Sequence, residues 1–206
     1  DEATEDIEIM NAITPNDKSY LKTNVFKIWL NRVPWLMLLM ISATFTGLII
    51  TKNEALLSKS AFGIVLTACI PMLMGTGGNA GGQASATIIR GIALNEITIK
   101  DYFKVVWKEV RVAVLLGISL SALCYLKLLF IDGLFNEPQG YLVAGVICFA
   151  MFLTVVFAKV VGASLPILAK QCKLDPAVMA SPFITTIIDT VSLLILCGLT
   201  SALLPV

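Results

Sequence analysis

The stretch that decides the fold is Ser-Pro-Phe-Ile-Thr-Thr-Ile-Ile-Asp-Thr-Val-Ser-Leu-Leu-Ile-Leu-Cys-Gly-Leu-Thr-Ser-Ala-Leu-Leu, residues 181–204, in which Asp189 is the only charged side chain. Its length matches the roughly 20 residues that a helix needs to cross about 30 Å of hydrocarbon. A carboxylate at that depth costs about 2.5 to 3.5 kcal/mol on insertion scales. The cost is offset only where the acid faces a partner, a cation or a water-filled path. Asp189 therefore reads as a functional acid inside a membrane.

Composition agrees. The chain is 57% hydrophobic and 14% charged, with a mean hydropathy of +0.88, far from the usual soluble balance. A net charge of +1 leaves no polybasic or polyacidic face for nucleic acid. There is no histidine, which removes the commonest transition-metal ligand and the usual near-neutral proton shuttle. Cys69, Cys124, Cys148, Cys172 and Cys197 are scattered with no C-x-x-C pair. They read as small packing residues rather than as a disulfide or zinc framework. The first ten residues are acidic and polar, unlike a signal peptide, and the missing initiator Met suggests a piece of a longer protein.

Counting apolar runs gives an all-α membrane protein with five spans, at about 33–51, 61–89, 112–131, 141–168 and 179–204. All are expected to be helical, since an open strand cannot satisfy its backbone in lipid. Residues 1–24 read as the end of a cytosolic element joined to a pore domain at 25–206. With the N-terminus inside, the inner segments hold eleven basic residues: Lys18, Lys22, Lys27, Arg32, Arg90, Lys100, Lys104, Lys108, Arg111, Lys170 and Lys173. The outer loops hold two, Lys52 and Lys59. The positive-inside rule thus predicts a multi-pass protein of the cell membrane, N-terminus cytoplasmic and C-terminus outside. Residues 95–111 alternate apolar and charged side chains and suggest an interfacial helix. Lys127 and Lys159 lie within spans and are expected to snorkel. Trp29, Trp35 and Trp107 read as belt anchors at the cytoplasmic ends.

The second informative stretch is Pro-Met-Leu-Met-Gly-Thr-Gly-Gly-Asn-Ala-Gly-Gly-Gln, residues 71–83. Five glycines and a proline would break or loosen a helix, so the second span is expected to be glycine-broken. Loosened backbone at membrane depth lines a cavity or binds an ion; the bland alternative is close helix packing through small residues. Thr76, Asn79 and Gln83 supply neutral ligands beside Gly78. Together with Asp189 and the hydroxyls of Thr185, Thr186 and Thr190 they form a hard-oxygen set suited to Mg²⁺ or Ca²⁺. Thr185 lies one turn before Asp189 on the same helix face. Because Mg²⁺ sheds water reluctantly, one carboxylate per chain fits an outer-shell grip on a hydrated ion. Two-fold pairing of chains would bring two Asp189 side chains together.

The strings PMLMGTGGNAGGQASATIIRGIAL, GASLPILAK with LDPAVMASPFITTIIDT, and the opening EATEDI resemble the MgtE family of magnesium channels over nearly the whole chain. That resemblance implies a C2 homodimer in the lipid bilayer, with five transmembrane helices per chain and a pore on the dimer axis lined by the second and fifth spans. It places the ion-selecting aspartate at Asp189 and the main-chain carbonyl one turn earlier at Thr185. It also implies cytosolic sensor domains and a plug helix, of which residues 1–13 would be the tail. Glu2, Glu5, Asp6 and Asp175 match positions that hold regulatory Mg²⁺. Ser181, near the cytoplasmic mouth, stands where a relative carries asparagine, so its contacts do not transfer.

The expected function is then a Mg²⁺ channel domain carrying hydrated divalent cations into the cytoplasm, with Mg²⁺ as cargo and regulator. The alternative is a coupled secondary divalent-cation transporter or exchanger in which Asp189 alternates between proton and metal. The absence of histidine and of a second intramembrane carboxylate counts against it. An enzyme is not expected: an intramembrane aspartyl protease would want two aspartates, and no Ser/His or metal-hydrolase set exists.

Overall fold

The computed structural model describes residues 21, 23–59, 62–179 and 181–204. The order is α1 (Val25–Lys52), the short α2 (Glu54–Lys59), α3 (Gly63–Ala93), α4 (Tyr102–Phe130), α5 (Gly140–Gln171) and α6 (Ser181–Leu203). Short 3-10 turns sit at Ile99–Asp101, Leu134–Asn136 and Pro176–Met179. Among the described residues five helices are long and apolar enough to cross a membrane, as expected: α1, α3, α4 with its preceding turn, α5 and α6. Most of the residues assigned to a cytosolic element, 1–20 and 22, lie outside the described residues.

The helices outrun their apolar runs. α1 begins at Val25, where the Asn24 side chain accepts a hydrogen bond from the Phe26 N–H at 3.0 Å, as an N-cap should. Residues 95–111 do not form a separate interfacial helix. The chain leaves α3 through Asn95 at φ 55, with the amides of Glu96 and Ile97 returning to the Gly91 carbonyl. Thr98 and Asp101 then make a reciprocal cap, the Thr98 hydroxyl donating to Asp101 Oδ2 at 2.6 Å. From there α4 runs unbroken, because nothing between Tyr102 and Phe130 stops a helix once it is capped.

The expected glycine break is absent. α3 is one continuous helix through Pro71 and all five glycines. The decisive quantity is the solvent. In water a glycine costs a helix about 1 kcal/mol relative to alanine, but in lipid every freed backbone group costs several kcal/mol, and a break frees about four donors and four acceptors. Five glycine penalties are the smaller sum. The glycines serve packing instead. A Cβ on Gly77 would lie 2.7 Å from both Ile188 Cγ2 and Thr154 Cγ2, and one on Gly81 would meet Ile184, Ile188 and the Ala158 carbonyl. A Cβ on Gly162 of α5 would collide with the carbonyl of Gly81 itself. Apolar burial does not drive association when lipid is equally apolar, so close backbone approach is what holds such helices together.

α5 is the hub, packing against α3, α4 and α6, while α3 also packs on α6. The main core joins these four helices through Leu66, Leu73, Leu128, Ile147, Val155 and Ile184. A smaller cluster of Ile88, Ile92, Ala163 and Ile167 closes the end nearest the α3–α4 connection, with Tyr102 and Val105 packed on it. α1 stands apart. It contacts chiefly α6, where Trp35 meets Phe183 edge-on with ring centroids 5.8 Å apart, and none of its residues is buried.

Stability in detergent should therefore respond to the glycines unequally. Gly162→Ala and Gly81→Ala should each cost about 1–3 kcal/mol through forced backbone movement. Gly75→Ala and Gly82→Ala, with open space at the Cβ, should change stability by no more than about 0.5 kcal/mol. Denaturant titration of the purified variants reads this out, and equal losses at all four would refute the packing assignment.

Candidate functional site

Asp189 lies in the middle of α6, half-buried. Among the described residues no side chain hydrogen-bonds or ion-pairs with it. Thr185, one turn earlier, is likewise half-buried and faces α3, since a Cβ at Gly78 would sit 3.1 Å from its Cγ2. Gly78 is thus the point where the two site-bearing helices meet. Beside it Gly75, Asn79 and Gln83 follow one another at four-residue spacing, all exposed on the protomer surface. Such a polar line on a membrane helix cannot comfortably face acyl chains, because its amides would go unpaired.

The structure does not bring every predicted ligand to this place. Thr186 and Thr190 turn toward α1, where with Ser42, Phe45, Leu48 and Lys52 they line a groove of about 440 Å³. The Thr190 hydroxyl donates to the Thr186 carbonyl at 3.0 Å. These two hydroxyls therefore leave the hard-oxygen set. Ser181 begins α6 at the end where the expected pore mouth would lie. Asp175 is exposed in the α5–α6 connection, and its Oδ1 accepts the Ala177 N–H at 2.8 Å, fixing the turn before α6. Glu2, Glu5 and Asp6 lie outside the described residues. Among the described residues no three Cys, Asp or Glu side chains gather as a metal cluster.

One charged pair departs from the sequence-based expectation. Lys159, expected to snorkel, is buried on α5 with its Nζ 3.6 Å from Glu109 Oε2 of α4, at side-chain exposures of 6% and 13%. Glu109 belongs to the stretch that reads as an interfacial helix, which would put it in the headgroup zone. Because α4 continues through it, its carboxylate is turned into the bundle, and the Tyr102 and Ser164 hydroxyls bond at 3.1 Å nearer the helix end. The signal lies in the helical wheel: Tyr102, Val105 and Glu109 share one face, opposite Lys100, Lys104, Lys108 and Arg111. Lys127, by contrast, pairs at its helix end with Asp132 at 2.5 Å.

These features define a polytopic helical membrane protein whose last span sets an isolated acid beside a glycine-rich, polar-faced helix. The profile of the MgtE family, described as a divalent cation transporter, matches residues 70–199. The chain is 36% identical over 203 residues to the magnesium transporter MgtE of Thermus thermophilus, covering 98% of this chain and 43% of that protein. To the magnesium transporter MgtE of Bacillus subtilis it is 32% identical over 205 residues, 98% and 42% of the respective chains, and to that of Enterococcus faecalis 30% over 203 residues, again 98% and 42%. This chain belongs to the MgtE family, a family of transporters rather than enzymes. It spans less than half the length of those relatives.

The buried pair gives the second prediction. Removing one partner strands a charge, so Glu109→Met or Lys159→Met alone should cost about 3–5 kcal/mol, whereas the two changes together should cost far less. Unfolding of the three variants in one detergent measures the coupling; additive losses would show that the two groups do not interact.

Proposed function

We propose that this chain is the conducting part of a Mg²⁺ channel, working as a two-fold dimer in which paired Asp189 carboxylates select the ion. The observation that carries this reading is the Asp189 carboxylate, without a partner among the described residues of its own protomer and one turn beyond Thr185, which meets α3 at Gly78 beside the exposed Asn79. A second copy placed across that line supplies what lipid cannot: an aqueous path for Asn79 and Gln83, and a second acid. Two carboxylates on the axis attract a divalent ion twice as strongly as a monovalent one at equal distance. Mg²⁺ gives up its waters reluctantly, so those waters, not the metal, meet the carboxylates. The Thr185 carbonyl is spent on the helix, but its second lone pair can still accept from a water of the hydrated ion. Gly78 and its neighbours Gly75 and Gly82 leave room for that shell. The relatives named magnesium transporters support Mg²⁺ as the cargo.

Asp189→Asn keeps the shape and removes both charges. Mg²⁺ flux into liposomes should fall by more than about tenfold, the factor that a loss of about 1.4 kcal/mol alone produces, while the protein still assembles. Wild-type flux in that variant would end the proposal.

A coupled exchanger is the second reading, and one observation favours it more than the sequence alone does: Glu109 is a second carboxylate inside the bundle. It is held in a buried pair with Lys159 at 3.6 Å rather than beside Asp189, which keeps the channel first. Proton flux accompanying Mg²⁺ flux, abolished in Glu109→Gln, would reverse that order.

Regulation by Mg²⁺ at Asp175 with Glu2, Glu5 and Asp6 remains part of the proposal. Carboxylates gathered there would repel one another until a cation offset the charge. On its own, the 206-residue chain is expected to conduct without steep closure as internal Mg²⁺ rises, because sensor domains would supply the remaining ligands. Steep closure that vanishes in Asp175→Ala would instead place the sensor within this chain.

A further inference from the structure

The first turns of α4 carry Lys100 just before the helix and Lys104, Lys108 and Arg111 within it, all exposed. At 100° per residue these four fall within an arc of about 80°. Phe103 and Trp107 flank them at 82% and 63% exposure. Glu109 does not neutralise the stripe, because it faces Lys159 on the opposite side of the helix. The one acid ion-paired with the stripe among the described residues is Asp101, whose Oδ1 lies 3.5 Å from Lys104 Nζ in an exposed pair and whose Oδ2 is held by Thr98. The stripe is therefore net positive by about three charges.

The same face changes character along the helix. One turn past Arg111 comes Leu115, then Ile118, at 69% and 58% exposure, and the apolar run from residue 112 onward is long enough by itself to fill the hydrocarbon core. Cations, flanking aromatics and then bare aliphatic side chains follow one another at 1.5 Å per residue. A phospholipid lying against the helix presents its parts in that order: phosphate, glycerol region, acyl chains. An acidic protein segment could match the cations but would leave Leu115 and Ile118 without a counterpart.

We infer that this face of α4 is a binding site for anionic phospholipid, the headgroup phosphate held among Lys104, Lys108 and Arg111 and the upper acyl chain along Trp107, Leu115 and Ile118. Each basic residue near an anionic surface strengthens binding by about five-fold. With salt screening offsetting most of the three net charges, phosphatidylglycerol is favoured over phosphatidylcholine at this face by about five-fold.

The test places the tryptophan reporter where the lipid binds. In the Trp29→Phe/Trp35→Phe background, Trp107 fluorescence is followed in vesicles of equal parts phosphatidylcholine and phosphatidylglycerol, with bromine on the acyl chains of one lipid or the other. Brominated phosphatidylglycerol should quench more strongly, and adding Lys104→Gln/Lys108→Gln/Arg111→Gln should make the two lipids equivalent. Equal quenching in the parent protein overturns the inference. So does a preference that survives neutralisation, or an absence of quenching by both lipids, which would mean that protein covers the face. Should the tryptophan replacements disturb folding, native mass spectrometry of the unmutated chain and of the triple glutamine variant separates the same outcomes by counting adducts of each lipid.

Discussion

Gly162 of α5 meets the carbonyl of Gly81 on α3 with no room for a methyl group between them. In water such a contact would be a detail beside the hydrophobic core. Between helices in lipid it is the reason they associate, since dispersion at close range has to do what solvent exclusion does elsewhere. The rest follows from it. With α3 held that near to α5, Gly77 and Gly81 can also admit Ile184 and Ile188 of α6, and the α6 register so fixed sets the height of Asp189. The candidate ion site thus depends on the absence of side chains one helix away.

The five spans are legible in the sequence because about 20 apolar residues in a row leave few alternatives. Their ends are not. Residues 25–32 and 102–111 are polar enough to look like connections, yet they stay helical, since helical backbone is also the cheapest state where the bilayer gives way to headgroups. The glycine-rich run of residues 71–83 misleads for a related reason: helix propensities measured in water do not carry over to a solvent where broken hydrogen bonds have nowhere to go. Its small residues signal contact surface here, not flexibility.

Within the site, Asp189 stands out by its isolation alone, and Thr185 by its spacing. Thr186 and Thr190 fit the same chemistry but face α1, because composition names candidate ligands but not the angle at which a helix presents them. Glu109 and Lys159 each look, in sequence, like charges bound for solvent. Their pairing joins residues fifty positions apart, on two helices whose relative rotation no local pattern reveals. Lys127 and Asp132, five residues apart, need no such knowledge.

α1 has no buried residue, and this bears on how the protein is made. A helix that owes its place to the bilayer rather than to its neighbours can enter the membrane before they exist, and its residence there is a partition equilibrium of its own. Polar replacements along α1 would consequently be felt during biogenesis, as failed integration of a nascent segment. The same replacements in α5, more than half of whose residues are buried, would be felt after integration, as a bundle that enters the bilayer and does not assemble.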